Sequence, residues 1–270
     1  MKKKFNKALR TAFDEWEDAF VESILEGQPE PPIYFARMKR VNKEGPDVSG
    51  ALPVPSRVPA RELEDVLGNV NVVILDTRSD RRSFMERHVR GSLYVPLGDK
   101  FTTVAGSFVE PELEIMLAVE STDDVDDAVR GLIRIGLDQV IGYVVLDEAL
   151  NETVTQALLV STSRARTADI DALRETHPGS VVLDVRSEGE YAEEHVPDSI
   201  NVAYTRLARN LDKLPAGRKL IVHCGSGLRA SFAVPWLERA GFDVIYSDGS
   251  FLDWHDSQQR KKEDLTEALV

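Results

Sequence analysis

With 270 residues, 42% of them hydrophobic and 29% charged, the chain has enough material for two ordinary globular domains with cores of their own. Thirty-three basic residues against 46 acidic ones give a formal charge of -13, which argues against general binding to nucleic acid or to an anionic membrane surface. A single cysteine, Cys224, excludes an intramolecular disulfide.

In chain order, the first pattern is an amphipathic helix over residues 9–25, with Phe13, Trp16, Phe20 and Ile24 on one side. Asp14, Glu15, Glu17 and Asp18 stand where a signal peptide would carry its apolar stretch, and no apolar run of 18 residues occurs, so no export signal or membrane span is expected. A reactive lone thiol suits a reducing compartment, and the expected location is cytoplasmic. Gly27 to Pro32 ends the first helix, Ile33 to Asn42 forms a second short one, and the proline-rich stretch from Gly45 to Pro59 reads as a linker. Residues 1–52 are therefore expected to be an N-terminal helical extension.

An internal duplication follows. Val72-Val-Ile-Leu-Asp76-Thr-Arg78, then His88-Val-Arg-Gly-Ser-Leu-Tyr-Val95, repeats as Val181-Val-Leu-Asp184-Val-Arg186, then His195-Val-Pro-Asp-Ser-Ile-Asn-Val202. Short apolar strands alternate with helices in each copy, so the fold class is α/β: two domains, at 53–160 and 161–270, each a mainly parallel sheet flanked by helices. Carried through the repeat, Cys224 falls near Val119 and Arg229 near Asp124. The first copy thus lacks the thiol, and Glu120, Asp123 and Asp124 would repel an anion. It is expected to be a non-catalytic partner, serving docking, the shape of the neighbouring mouth, or plain support.

In the second copy, Thr167 is placed to cap a helix over Ala168 to Thr176, and Val181 to Asp184 is a buried strand. Leu220 to Ala230 reads as strand, tight loop and helix, with Cys224 at the turn. Glycines at 225 and 227 let backbone N–H groups of the loop Gly225, Ser226, Gly227 and Leu228 point at the sulfur, backed by a helix N-terminus. Two charge-assisted N–H bonds at about 1.5–3 kcal/mol each would suffice to turn a thiol into a thiolate. The alternative is a small buried hydrophobe at a strand end. His223 adjoins Cys224, but neighbours on a strand face opposite ways, which disfavours a Cys/His dyad. Arg229 either holds an anionic substrate or braces the loop, and nothing else near the loop in sequence offers a positive charge. The helix from Ala230 to Ala240 contains Pro235, expected to kink it or to begin its regular part. A strand at Val244 to Ser247, the segment Asp248 to Trp254 and a charged tail from Gln258 complete the chain.

Cys224-Gly-Ser-Gly-Leu-Arg229, after the Asp184-Val-Arg186 strand end and the His195 to Val202 segment, resembles the C-x-x-G-x-R loop of the rhodanese (sulfurtransferase) family. The loop is one residue shorter than the C-x5-R loop of cysteine phosphatases, so it suits a smaller group than phosphate. The resemblance implies that Cys224 carries sulfur as a persulfide, moving it from thiosulfate or a small persulfide to a thiol, sulfite or cyanide. Gly225, Ser226, Gly227, Leu228 and Arg229 would bind the substrate. Asp184, Arg186, His195 and Trp254 would be structural residues near the site. No cofactor is implied, and no metal, because the five histidines lack ligand spacing. Residues 20–46 resemble the tail of the metallo-β-lactamase-fold domain in proteins that fuse a persulfide dioxygenase-like domain to rhodanese repeats. That likeness makes such a domain a candidate partner, although its H-x-H-x-D-H signature is absent. A phosphatase, a sulfur-sensing or docking module, and a truncated partner of a persulfide-oxidising metalloenzyme are the competing readings.

Overall fold

The computed structural model describes residues 31–45 and 51–267, with side chains through 260, together with Val21. Apart from Val21, which is helical, the expected helix over 9–25 lies outside the described residues.

Among the described residues, the first half of the chain holds six strands: β1 (Ser56–Arg57), β2 (Val72–Asp76), β3 (His88–Val89), β4 (Leu93–Tyr94), β5 (Glu114–Val119) and β6 (Val140–Val145). Six more follow: β7 (Leu159–Val160), β8 (Arg164–Arg166), β9 (Val181–Asp184), β10 (Ile200–Asn201), β11 (Leu220–His223) and β12 (Val244–Asp248). They assemble into two five-stranded sheets, ordered β1-β6-β5-β2-β4 and β8-β12-β11-β9-β10. Every pairing within both sheets is parallel. The two orders are the same topology met twice, so the sequence repeat is a repeat of fold. β3 and β7 form a separate antiparallel pair that ties the end of the first unit back onto it.

Runs such as Val72-Val-Ile-Leu and Leu220-Ile-Val form central strands because helices cover both faces, leaving no position where a polar residue is favoured. The repeated polar residues also build the same hook twice. Arg186 donates through Nε and Nη2 to Asp184 and through Nη2 to the Glu194 carbonyl at 2.6 Å. Arg78 does likewise with Asp76 and the Arg87 carbonyl. His195 stacks on Tyr191 at 4.0 Å and bonds its carbonyl, as His88 stacks on Phe84 at 4.2 Å and bonds its carbonyl.

The units share one hydrophobic core, in which the helix Leu228–Arg239 packs against the first sheet unit. Phe232 stacks on Tyr94 and Trp236 lies 5.6 Å from Phe108. Arg239 donates to the carbonyls of Gly91 and Val72 across the same seam.

Three local expectations change. Ser56–Arg57, inside the expected linker, pairs with Gly142 and Tyr143 as an edge strand. Thr167 does not cap a helix: it lies in a 3-10 turn, Thr167–Asp169, and its hydroxyl accepts from Ser247 at 3.1 Å, because the strand β8 delivers it to the sheet end. Pro235 is buried inside the helix Leu228–Arg239, which already starts at Leu228. The charged tail continues one helix, Phe251–Glu267.

Candidate functional site

β11 lies in the middle of the second sheet, between β9 and β12, and Cys224 follows it at the carboxyl end, where parallel sheets open a crevice. His223 pairs with Asp184 in the ladder, and in the first sheet Ala118 pairs with Asp76. The next residues are Cys224 and Val119, so the structure places them at equivalent positions. Where Leu228 and Arg229 open a helix in the second unit, Asp124 opens one in the first.

The loop is held from several sides. Gly225 accepts hydrogen bonds at its carbonyl from the Phe251 amide at 3.1 Å and the Ser250 hydroxyl at 3.2 Å. Gly227 has φ of 82°, the left-handed conformation that only glycine adopts without strain, and it leads directly into the helix. A side chain there would meet Asp248 Oδ1 at 2.9 Å and the Tyr246 hydroxyl at 3.0 Å. Where several loop amides were expected to reach the sulfur, the donor to Cys224 Sγ is the Ala230 amide in the first turn of the helix, at 3.4 Å. The cysteine is fully buried, whereas Ser226 at the crest of the loop is exposed.

Arg229 lies back over Gly225 and grips Glu190, with Nη1 2.5 Å from Oε2 and Nη2 2.6 Å from Oε1. Hydrogen bonding from Arg229, aided by the Ser187 hydroxyl, holds the Glu190 carboxyl down at about 2, and the same pairing raises Arg229 above its ordinary value. Sequence reasoning passed over Glu190. Its signal was a capping box, Ser187-x-x-Glu190, at the start of the helix Glu188–Glu193, which fixes the carboxylate at the edge of the loop.

The other named residues divide by face. Asp184 and Arg186 are buried beneath the sheet end, with the Arg186 guanidinium 4.0 Å over the Phe251 ring. His223 packs on that side against Phe251, away from the core that holds Cys224. Burial lowers its pKa, so it is neutral, and its 3.6 Å approach to Asp184 is not a charge pair. Neither ring nitrogen has a hydrogen-bond partner. His195 is exposed on Tyr191, and Trp254 is buried, donating to Asp171 at 3.4 Å. A polar cavity of about 520 Å³ opens beside the Glu188–Glu193 helix, lined by Glu188, Tyr191, Asn201 and Lys213 among others. Among the described residues, no group of three or more His, Cys, Asp or Glu side chains gathers as a metal site.

A second cation reaches the loop from outside its local sequence. Arg81, from the first unit, donates to Asp248 Oδ1 at 3.1 Å, beside Gly227. The fold brought together residues separated by 167 positions, which no local reading of the loop could anticipate.

The second parallel sheet thus presents a cysteine at the end of its central strand, in a short glycine loop closed by arginine. The family model described as a Rhodanese-like domain matches residues 168–257. The thiosulfate sulfurtransferase GlpE of Pseudomonas savastanoi pv. phaseolicola is 34% identical over 84 residues, covering 31% of this chain and 77% of that protein. The chain therefore belongs to the rhodanese-like domain family. A tRNA sulfurtransferase of Thermoplasma acidophilum is 34% identical over 73 residues, which take in 27% of this chain but 15% of that protein. Among solved structures, a metallo-beta-lactamase from Staphylococcus aureus is 27% identical, with a TM-score of 0.40 over 50% of this chain and 37% of that one.

Proposed function

We propose that the chain is a rhodanese-type sulfurtransferase in which Cys224 carries the sulfur. The observation that supports this best is the Ala230 amide aimed at Cys224 Sγ from the start of a helix, which gives the sulfur a backbone donor at the mouth of the loop. In the first half-reaction the thiolate attacks the outer sulfur of thiosulfate. A Cys224–sulfur bond forms, the S–S bond of the donor breaks, and sulfite leaves with the electron pair. In the second, an acceptor such as cyanide or a thiolate attacks the terminal sulfur of the persulfide and the Cys224 thiolate returns. The loop backbone from Gly225 to Leu228 cradles the terminal sulfur, and Arg229 meets an anionic donor. Asp184, Arg186, His195 and Trp254 hold the surrounding loops. The matching Asp76, Arg78 and His88 hooks in a unit without a cysteine support a structural role for the first three.

On the same reading residues 161–270 form the catalytic domain, and residues 53–160 form a domain without chemistry of its own, since Val119 replaces the cysteine. The N-terminal extension, 1–52, supports a metallo-β-lactamase-fold protein as partner through its likeness to the tail of that fold, and copurification with such a protein would test it. No helix among the described residues is long and apolar enough to cross a membrane, and a persistent reactive thiol suits the cytoplasm.

Intact-mass measurement after thiosulfate treatment tests the core of the proposal. One added sulfur atom on Cys224, removed by cyanide and absent from Cys224→Ser, is expected. A protein that gains no sulfur would point to a docking module, and hydrolysis of an aryl phosphate would revive the phosphatase reading.

A further inference from the structure

Tyr246 carries one hydroxyl proton and has two acceptors at the same distance, 3.1 Å: the Gly227 carbonyl and Asp248 Oδ1. Burial raises its pKa, so the phenol stays a donor. The Gly227 carbonyl also accepts from the Ser231 amide at 3.0 Å, the first bond of the helix whose Ala230 amide faces Cys224 Sγ. Which acceptor the phenol serves therefore affects how firmly that first turn is anchored.

Arg81 decides between them. Its guanidinium donates to Asp248 Oδ1, the oxygen that competes for the phenol, and the Asp248 side chain is only 12% exposed. With Arg81 in place the carboxylate has a cationic donor and the phenol is left to Gly227. Without it, a nearly buried carboxylate keeps only the longer contact of an exposed arginine, Arg82, on its other oxygen, and a charged acceptor outcompetes a neutral carbonyl for the same proton. Arg81 starts the helix Arg81–Glu86, whose N-cap Asp80 accepts from the Arg82 amide, so its backbone is fixed by the first unit. Arg82 reaches the other Asp248 oxygen at 3.7 Å from a side chain that is 69% exposed.

We infer that Arg81 is a positioning residue for Cys224, supplied by the unit that lacks a cysteine, which keeps the Tyr246 phenol on the Gly227 carbonyl and so the Ala230 amide on the sulfur. The first unit then acts on the chemistry without touching substrate. This rests on the reading of Cys224 as the sulfur-carrying nucleophile.

The test uses the full chain, in which Cys224 is the only thiol. Its alkylation by iodoacetamide is followed against pH in wild type, Arg81→Ala, Arg81→Lys and Arg82→Ala, alongside kcat and KM for sulfur transfer to cyanide. Arg81→Ala should slow alkylation about threefold on the acid limb of the profile, and lower kcat more than it changes KM. Arg81→Lys should recover most of the loss, and Arg82→Ala should match wild type. Tyr246→Phe should reproduce the slowing, and it decides the matter if Arg81→Ala does not fold. An unchanged profile in Arg81→Ala or Tyr246→Phe would overturn the inference. An equal slowing in Arg82→Ala would also do so, since it would mark a through-space field rather than positioning. A wild-type protein that titrates normally but takes up no sulfur would sink the proposed function instead.

Discussion

Arg229 and Glu190 meet as parallel forks, so the cation at the end of the cysteine loop is already neutralised before any anion arrives. Both side chains are part-exposed, at 30% and 39%, and such a pair is worth about 1 kcal/mol at most once solvent screening is counted. A dianionic donor must displace a carboxylate to use the guanidinium. Glu190→Gln should accordingly raise kcat/KM for thiosulfate about fivefold while leaving a neutral persulfide donor within about twofold. Arg229→Ala should lower thiosulfate turnover about 10- to 150-fold and the neutral donor much less. Steady-state kinetics with both donors check this, and equal changes for both would assign Arg229 to loop bracing.

His88 is buried in the first unit, stacked on Phe84, and burial lowers its pKa to about 4. An unfolded chain with His88 near 6.5 binds the proton that the folded chain refuses, so this contribution to stability is complete above about pH 6.5 and lost as pH falls toward 4. Its upper bound is about 3 kcal/mol. Urea midpoints between pH 7.5 and 4.5 should fall less steeply for His88→Asn than for wild type, whatever the absolute cost of the substitution. A parallel pair of curves would show that other groups carry the acid sensitivity.

The contact of Phe108 with Trp236 and Tyr204 lies on the seam between the two units. Phe108→Ala removes a nearly fully buried ring from the shared core and should cost about 3–5 kcal/mol of stability. Because Trp236 lies on the helix that begins at the cysteine loop, the same change should loosen both units together. A single, lower unfolding transition is expected in calorimetry. Two separated transitions, one of them at the wild-type temperature, would show that the units unfold independently.

Local pattern made much of this fold legible. Two apolar strands ending in Asp-x-Arg, each followed by a His-Val step, announced the repeat, and the ladder register sets Cys224 level with Val119 as the repeat required. The glycine at 227 and the strand, loop and helix order were equally visible, because they are properties of contiguous residues. The unseen relationships were the long-range ones. Glu190 completes a local capping box, but its carboxylate also serves a guanidinium 39 positions away. Arg81 had no local motif at all. Only the packing of the helix Leu228–Arg239 against the first unit puts it beside Asp248.

The two glycines of the loop answer to different constraints, and alanine substitution should separate them. Gly225 has an ordinary backbone, and a Cβ there would meet Arg229 Nη2 at 2.9 Å, the movable end of a long side chain. Gly225→Ala should therefore fold with little loss of stability while dislodging the Arg229–Glu190 pair, so its effect should fall on donor kinetics. Gly227 has φ of 82°, which costs an L-residue about 1–2 kcal/mol, and its Cβ would press on Asp248 Oδ1 and the Tyr246 hydroxyl, both held by partners. Gly227→Ala should lower the melting temperature clearly and slow the alkylation of Cys224, because the turn that aims the Ala230 amide can no longer form without strain. Thermal melts and alkylation rates of the two variants decide the matter. A Gly225→Ala protein as unstable as Gly227→Ala would mean that the loop tolerates no side chain at either position, and that Arg229 does not yield.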